Sequence, residues 1–185
     1  RSFHFWRRHP EMISGMLGAF NLCFAQSEAD AVRLSMLGAK HISCPGNLKY
    51  DAGMLPCDES ELLALKNAIG NRPVWLAAST HPGEETLVEK AHKLIAQACP
   101  GLLTIIVPRH PVRGGEIALE IGRRHGIALR SKRQRITEDT VFYIADTLGE
   151  LGLFYRLCDT VFMGGSLVRH GGQNPLEPAR LSCAV

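Results

Sequence analysis

Short, mainly apolar runs alternate with helical patterns along most of this chain. Such runs occur at residues 73–78, 102–107, 127–129, 141–145 and 160–163. A continuous apolar run of strand length is typical of a strand that is buried on both faces, which occurs in parallel sheets covered by helices. We therefore predict an α/β fold: a Rossmann-like parallel sheet with helices on both faces.

Helix signals occupy the intervals between these runs. Asp58 or Ser60 can cap a helix that Gly70 closes. The stretch 82–98 is helical in pattern, and one of its faces carries apolar residues, namely Leu87, Ala91, Leu94, Ile95 and Ala98. Further helices are predicted at 115–125, 151–158 and 175–181. Nearer the start we predict a buried strand at 22–25 and a second strand at 41–44. Between them we predict a helix at 28–37 that ends at Gly38.

The composition is that of an ordinary globular protein, with a net charge of +3 that fits either acidic ligands or simple solubility. Six cysteines lie far apart without a Cys-x-x-Cys pair, and most of them fall in apolar runs. This pattern predicts buried thiols in a reducing compartment and neither a disulfide framework nor a zinc site. The histidines show no metal-ligand spacing, so no metal is expected.

Two short segments are rich in basic residues. Residues 3–8 mix aromatic and basic side chains and could touch a membrane or nucleic acid, although a helix packed on its own domain is the preferred interpretation. Residues 130–135 are interpreted as a solvated loop.

No apolar stretch approaches the roughly 20 residues that cross a bilayer, and no signal peptide is seen. Because the chain starts at Arg1 and ends where a strand begins, at 182–185, we expect a fragment of a longer protein.

Polar clusters follow the predicted strands, at the edge where parallel sheets bind their ligands. The first, residues 79–85, could bind a phosphate or sugar oxygen, or could be an ordinary helix start. The second, 108–111, places an arginine between prolines, where it could pair with phosphate or carboxylate. In the third, 146–151, Asp146 or Thr147 could cap the next helix; alternatively its main-chain N–H groups and Glu150 could contact a nucleotide.

The fourth cluster, residues 164–177, carries most of the functional information. Two glycine pairs flank an Arg-His segment, and a proline stands near the next helix start. Glycines let main-chain N–H groups approach an anion closely. The pattern is neither a Walker loop nor a dinucleotide-binding Gly-x-Gly-x-x-Gly. It favours an anion site, and Glu177 in the following turn could reach a ribose diol.

In this order, the clusters resemble those of the bacterial 3-deoxy-D-manno-octulosonic acid (Kdo) transferase family. The segments that carry the resemblance are 25–31, 37–39, 46–51, 78–85, 107–111 and 164–177. The resemblance covers nearly the whole chain and implies a GT-B glycosyltransferase, in which two doubly wound domains face a cleft. It also implies that residues 1–48 form the last part of the N-terminal, acceptor-binding domain and that residues 49–58 form a linker. Residues 59–185 would form an incomplete C-terminal, donor-binding domain.

The resemblance further implies transfer of Kdo from CMP-Kdo to a lipid A precursor, in lipopolysaccharide biosynthesis at the cytoplasmic face of the inner membrane. No cofactor, metal or nucleic acid is implied. The family's general-base glutamate is expected outside this chain, so no catalytic residue is assigned and the chain alone is expected to be inactive. The implied donor-binding residues are Ser79, Thr80, His81, Arg109, His110, Pro111, Gly149, Glu150, Gly165, Ser166, Gly171, Gly172, Asn174 and Glu177.

Two alternatives remain at this point. A sugar-nucleotide epimerase of similar architecture would prefer UDP to CMP. The chain could also be a nucleotide-binding unit without turnover.

Overall fold

The computed structural model describes residues 2–47 and 53–185. The chain divides into two compact units, Arg1–Gly53 and Met54–Val185. The predicted linker at 49–58 and the motif at 46–51 lie partly outside the described residues. The domain roles given above remain predictions.

In its described part, residues 2–47 and 53, the first unit contains a two-stranded parallel sheet with three helices. Its elements are α1 (Phe3–Trp6), α2 (Pro10–Gly18), β1 (Cys23–Phe24), α3 (Glu28–Met36) and β2 (Ile42–Ser43). Ser27 caps α3, because its hydroxyl accepts from the main-chain N–H of Asp30 at 3.2 Å. Gly38 adopts a left-handed φ of 99° after α3, as predicted.

Two expectations about the first unit need correction. The strand at β1 was predicted to be buried, but Phe24 is 58% exposed and Cys23 is half-buried. Helix α1 buries none of its residues, although Phe3 and Trp6 line a groove with Ile13 of α2. The predicted packing of residues 3–8 on their own unit is therefore only partial.

The second unit is a five-stranded parallel sheet with the strand order β5-β6-β4-β3-β7. Its elements in chain order are α4 (Glu59–Ile69), β3 (Val74–Thr80), α5 (Glu84–Ile95), β4 (Leu103–Pro108), a 3₁₀ turn (Pro111–Arg113), α6 (Gly114–Gly122), β5 (Ile127–Leu129), β6 (Phe142–Ile144), α7 (Leu151–Tyr155), β7 (Val161–Met163) and α8 (Leu176–Arg180). The sequence predicted each of these strands and α-helices. Asp58 caps α4 through the N–H groups of Ser60 and Glu61, and Gly70 closes it.

Apolar side chains on alternating strand positions separate into two cores, one on each face of the sheet. On one face, Leu65 of α4 and Phe154 of α7 pack with strand residues such as Ile105. On the other face, Val88 of α5 and Ile117 of α6 are the corresponding helix residues. The prediction of a parallel sheet with helices on both faces is confirmed.

The buried face of α5 is not the apolar face that the sequence predicted. Leu94 is 68% exposed, and Leu87 and Ile95 are also exposed. The helix instead buries acidic residues and one histidine together with Val88, namely Glu84, Glu85, Glu89 and His92. A carboxylate can be buried where hydrogen-bond donors surround it. Which face of α5 is buried therefore depends on donor groups that lie far from this helix in sequence.

The cysteine prediction is correct for two of the six residues. Cys158 and Cys183 are buried, and burial raises the pKa of both thiols. Cys23, Cys44, Cys57 and Cys99 are half-buried, and all six are free thiols.

Candidate functional site

The sheet has a switch point between β3 and β7. From β3 the chain crosses through α5 to β4 on one side, whereas β7 lies on the other side of β3. After α8 the chain reaches Ala184, which bridges Thr160 in parallel on the far side of β7. The two connections therefore leave in opposite directions, which opens a crevice beyond the carboxyl ends of β3 and β7. The first and fourth polar clusters lie at this crevice.

Gly164 lets the ends of β3 and β7 approach each other. Its main-chain N–H donates to the carbonyl of Ala78 at 2.8 Å. A β-carbon at Gly164 would lie 2.2 Å from the carbonyl oxygen of Ser79, so no side chain fits there. Ser79 itself forms a bulge with a left-handed φ of 55°. A strained main-chain conformation of this kind costs energy and persists only where the surrounding structure holds it. Such conformations are concentrated at functional sites.

The carboxylate of Glu84 joins the two loops at the switch point. It is fully buried and accepts from three main-chain N–H groups: His81 at 2.9 Å, Gly165 at 2.8 Å and Leu167 at 3.1 Å. The sequence interpretation treated Gly165 as a possible donor to a bound phosphate. That assignment needs correction for its N–H group, which Glu84 already occupies.

His81 lies at the end of β3 and contacts the glycine-rich loop. Its ring centroid is 3.9 Å from that of His170, and its Nε2 lies 3.3 Å from the side-chain nitrogen of Gln173. Burial, together with the neighbouring His170, lowers the pKa of His81. The imidazole is therefore neutral near pH 7 and can serve as a hydrogen-bonding group.

Thr80 and Glu85 fix the start of α5. The Thr80 hydroxyl donates to Glu85 at 2.8 Å, and Arg113 donates to both oxygens of the same carboxylate at 2.6 and 3.2 Å. The Glu85 carboxylate raises the pKa of Arg113. Because Thr80 is fully buried and its hydroxyl is engaged, the predicted ligand contact of this side chain does not fit the structure.

The second cluster presents cationic and aromatic groups at the end of β4. Arg109 and His110 are exposed, and the main-chain N–H of Arg109 donates to the carbonyl of Thr80 at 3.0 Å. A small cavity of about 80 Å³ brings Ser79, Arg109 and Pro111 together with the segment Gly149–Leu151. The first three clusters therefore meet at one edge of the sheet, as the sequence predicted.

The third cluster differs from its sequence interpretation. Asp146 and Thr147 do not cap α7; the Asp146 carboxylate accepts from the N–H and hydroxyl of Ser131 at 2.9 and 2.7 Å. Arg130 donates to both oxygens of Glu150 at 3.1 and 2.5 Å, and Thr147 donates to Glu150 as well. Both oxygens of the Glu150 carboxylate therefore already accept hydrogen bonds within the protein, which does not fit the predicted contact of this side chain with a nucleotide.

Arg130 shows that residues 130–135 are more than a solvated loop. Its side chain is 15% exposed and also pairs with Glu61 of α4 at 2.9 Å. The hydrogen bond to Glu150 raises the pKa of Arg130 and lowers that of Glu150. The pair holds the segment before α7, so Gly149, with a φ of 81°, can offer main-chain groups at a fixed place.

The fourth cluster leaves one carboxylate available. The Ser166 hydroxyl donates to the carbonyl of Met163 at 2.6 Å, and the Asn174 side chain accepts from the N–H of Leu176 at 3.2 Å. Helix α8 is five residues long, so the predicted set of N–H donors at its start is small. Glu177 is half-buried, and within residues 2–47 and 53–185 it has no hydrogen bond or ion pair.

Gly171 and Gly172 shape the loop between these residues. Both have left-handed φ angles, 100° and 74°, and the N–H of Gly172 donates to the carbonyl of Gly165 at 2.7 Å. The loop thereby folds back on itself beside the switch point.

Sequence reasoning missed the carboxylates and cations that hold the site. Glu84 and Glu85 were interpreted as ordinary first-turn acids, and Arg113 was not noticed. A usable signal was present: three glutamates of one helix, including Glu89, fall on a face without an apolar stripe. Such a face must find donors if it is buried.

Within the described ranges, no group of three or more histidine, cysteine or acidic side chains is placed to hold a metal ion. No helix in that part of the chain combines the length and apolarity needed to span a bilayer.

The fold and the site define an α/β protein with a polar, anion-compatible crevice at the switch point of a parallel sheet. A family model described as 3-deoxy-D-manno-octulosonic-acid transferase (kdotransferase) matches residues 1–52. The 3-deoxy-D-manno-octulosonic acid transferase of Haemophilus influenzae is 36% identical over 193 residues, and that of Rickettsia bellii is 32% identical over 189. Both alignments cover 100% of this chain. The chain belongs to the Kdo transferase family.

The chain is also similar to a protein of known structure. The crystal structure of the C-terminal CMP-Kdo binding domain of WaaA from Acinetobacter baumannii matches with a TM-score of 0.61 and 36% identity, over 67% of this chain and 66% of that one. The chain spans 44% of the length of the Haemophilus and Rickettsia relatives.

Proposed function

We propose that this chain is part of a glycosyltransferase that transfers Kdo from CMP-Kdo to a lipid A precursor, and that residues 59–185 receive the donor. The switch-point crevice carries the proposal, and it is supported by the 36% identity of 67% of this chain to a domain described as CMP-Kdo binding. Residues 1–48 would then belong to the acceptor-binding domain of a GT-B protein, on the cytoplasmic face of the inner membrane.

Residues at the crevice have the chemistry that such a donor needs. Arg109 and His110 are exposed cationic or hydrogen-bonding groups at the end of β4, suited to a phosphate or to the carboxylate of the sugar. Among the described residues, the Glu177 carboxylate has no hydrogen-bond partner, so it is suited to a ribose diol. The main chain at Gly149 is suited to hydrogen bonds with a base.

In the transfer, the bond from the anomeric carbon to the phosphate oxygen breaks, and CMP leaves with the electron pair. The acceptor hydroxyl forms the new bond and gives its proton to a general base, which we place outside this chain. Positive and hydrogen-bonding groups fixed beside the phosphate stabilise the charge that develops on it. Arg109 and the turn around Ser166 are our candidates for this role.

Calorimetric titration of the chain with CMP, and with UDP as control, tests the proposal. We expect CMP to bind in preference to UDP. Glu177→Ala should weaken CMP binding by about tenfold to a hundredfold, since a lost hydrogen bond to a charged group costs about 1.5–3 kcal/mol. Glu138→Ala removes an exposed carboxylate away from the site and should leave the affinity unchanged. A preference for UDP would contradict the proposal and favour a sugar-nucleotide epimerase.

A further inference from the structure

Glu84 is an unusual carboxylate, because it is fully buried and its partners are all main-chain N–H groups. Within residues 2–47 and 53–185, no cationic side chain forms an ion pair with it. A buried carboxylate is costly unless donors replace its water. His81, Gly165 and Leu167 supply them, at 2.8–3.1 Å.

The three donors come from two loops, and the donors of the second loop, Gly165 and Leu167, are 81 and 83 residues from Glu84 in sequence. His81 belongs to the turn between β3 and α5, and Gly165 and Leu167 belong to the glycine-rich loop after β7. The carboxylate therefore fixes the spacing of the two loops on either side of the crevice. Ser166, between the two bonded N–H groups of the glycine-rich loop, remains exposed.

The same contact places His81. Its main-chain N–H is held by Glu84, and its ring meets His170 of the opposite loop. One side chain thus sets the relative position of the two segments that flank the crevice. Its own charge would repel a nearby phosphate, so any favourable effect on phosphate binding must come from geometry.

We propose that Glu84 is a positioning residue for the phosphate of the nucleotide donor, acting through the main chain of the glycine-rich loop. This inference rests on the proposed function of the second unit. In this proposal other residues bind the base and the ribose. Substitution of Glu84 should therefore weaken the binding of the phosphate and leave the binding of the base and the ribose unchanged.

Glu89 provides a matched control on the same helix. It is 4% exposed, but side chains hold it: Arg124 at 2.9 and 2.7 Å, His125 at 3.0 Å and Lys93 at 2.9 Å. These partners do not belong to the loops at the switch point. Substitution of Glu89 therefore reproduces the loss of a buried carboxylate without loosening the glycine-rich loop.

The test is a calorimetric comparison of CMP with cytidine, which lacks the phosphate, for the wild-type chain, Glu84→Gln and Glu89→Gln. Glutamine keeps the shape of Glu84 but turns an N–H₂ group towards one of the three donors. We expect Glu84→Gln to weaken CMP binding by about tenfold, because a donor left unsatisfied costs more than a typical hydrogen bond contributes. Cytidine binding should change less than about twofold, and Glu89→Gln should leave the CMP-to-cytidine ratio unchanged.

Unchanged or tighter CMP binding by a folded Glu84→Gln chain overturns the inference, as does an equal loss for CMP and cytidine. Tighter binding would mean that Glu84 acts only as a repelling charge. If Glu84→Gln does not fold, Glu84→Asp retains the charge but withdraws it by one methylene, and it should show the same phosphate-selective loss. Failure of the wild-type chain to bind CMP would instead contradict the proposed function itself, so the two failures are distinguishable.

Discussion

The main-chain N–H of Gly165 donates a 2.8 Å hydrogen bond to the buried carboxylate of Glu84. Glu84 begins helix α5, a short turn after the end of β3, and Gly165 lies two residues after the end of β7. The two residues are 81 positions apart in the chain, but β3 and β7 are neighbours in the sheet. The bond therefore depends on the pairing of β3 with β7. Its consequence is that a main-chain N–H group of the glycine-rich loop, which could otherwise bind an external anion, already donates to a carboxylate of the protein itself.

Replacing Gly164 with alanine should destabilise the second unit by about 3 kcal/mol, at the upper end of the usual range for overpacking. The added β-carbon would lie 2.2 Å from the Ser79 carbonyl oxygen, and main-chain atoms cannot turn aside as a side chain can. Urea unfolding followed by circular dichroism measures the loss. Gly115→Ala is the control: its β-carbon meets nothing within 4 Å in α6, so a gain of about 0.5–1 kcal/mol is expected.

Glu89 should make the protein sensitive to acid. The hydrogen bond from Arg124, with those from Lys93 and His125, lowers the pKa of Glu89 from 4.5 to about 2. Since the folded pKa lies below the unfolded one, the stabilisation is complete above pH 4.5 and is lost as the pH falls towards 2. Glu89→Gln should lower stability by about 2 kcal/mol at pH 7 and flatten the pH dependence in that window. Parallel acid titrations of both proteins would contradict this assignment.

His92 should contribute a second pH dependence at milder acidity. It is buried against Phe142, with its Nδ1 2.8 Å from the Thr104 hydroxyl, and burial lowers its pKa below 6.5. The unfolded chain therefore takes up a proton before the folded protein does, and stability falls as the pH drops below 6.5. Unfolding free energies at pH 7.5 and 5.5 should differ less in His92→Gln than in the wild type. An equal difference in both proteins would exclude His92 as a source of this dependence.

Arg130→Met should destabilise the second unit by about 2 kcal/mol, because it leaves the partly buried Glu150 carboxylate without its main partner. The measurement is thermal unfolding, with Lys132→Met as a control in the same loop. Lys132 is exposed, so its replacement should change the free energy of unfolding by less than about 0.5 kcal/mol. Equal effects of the two substitutions would show that the loop is merely solvated.

Local patterns in the sequence were sufficient for the order and type of the main elements. The segment 102–107 is apolar except for Thr104, and it forms the central strand β4, buried on both faces. Asp58 and Gly70 mark the ends of α4 because a cap and a left-handed residue act within one turn of the chain. The clusters that follow the strands meet at one edge, because parallel strands all end on the same side.

The sequence by itself thus determined the α/β class, the parallel sheet and the segments that surround the crevice. Only the tertiary structure decided which polar groups in those segments are free. The Glu84 carboxylate accepts from the N–H of Gly165, and Arg130 donates to Glu150. The Glu177 carboxylate has no hydrogen bond or ion pair among the residues that the structure describes. The physical reason is distance in sequence: each engaged pair is joined by sheet packing, and hydrogen bonds of a few ångströms depend on an arrangement that no local pattern encodes.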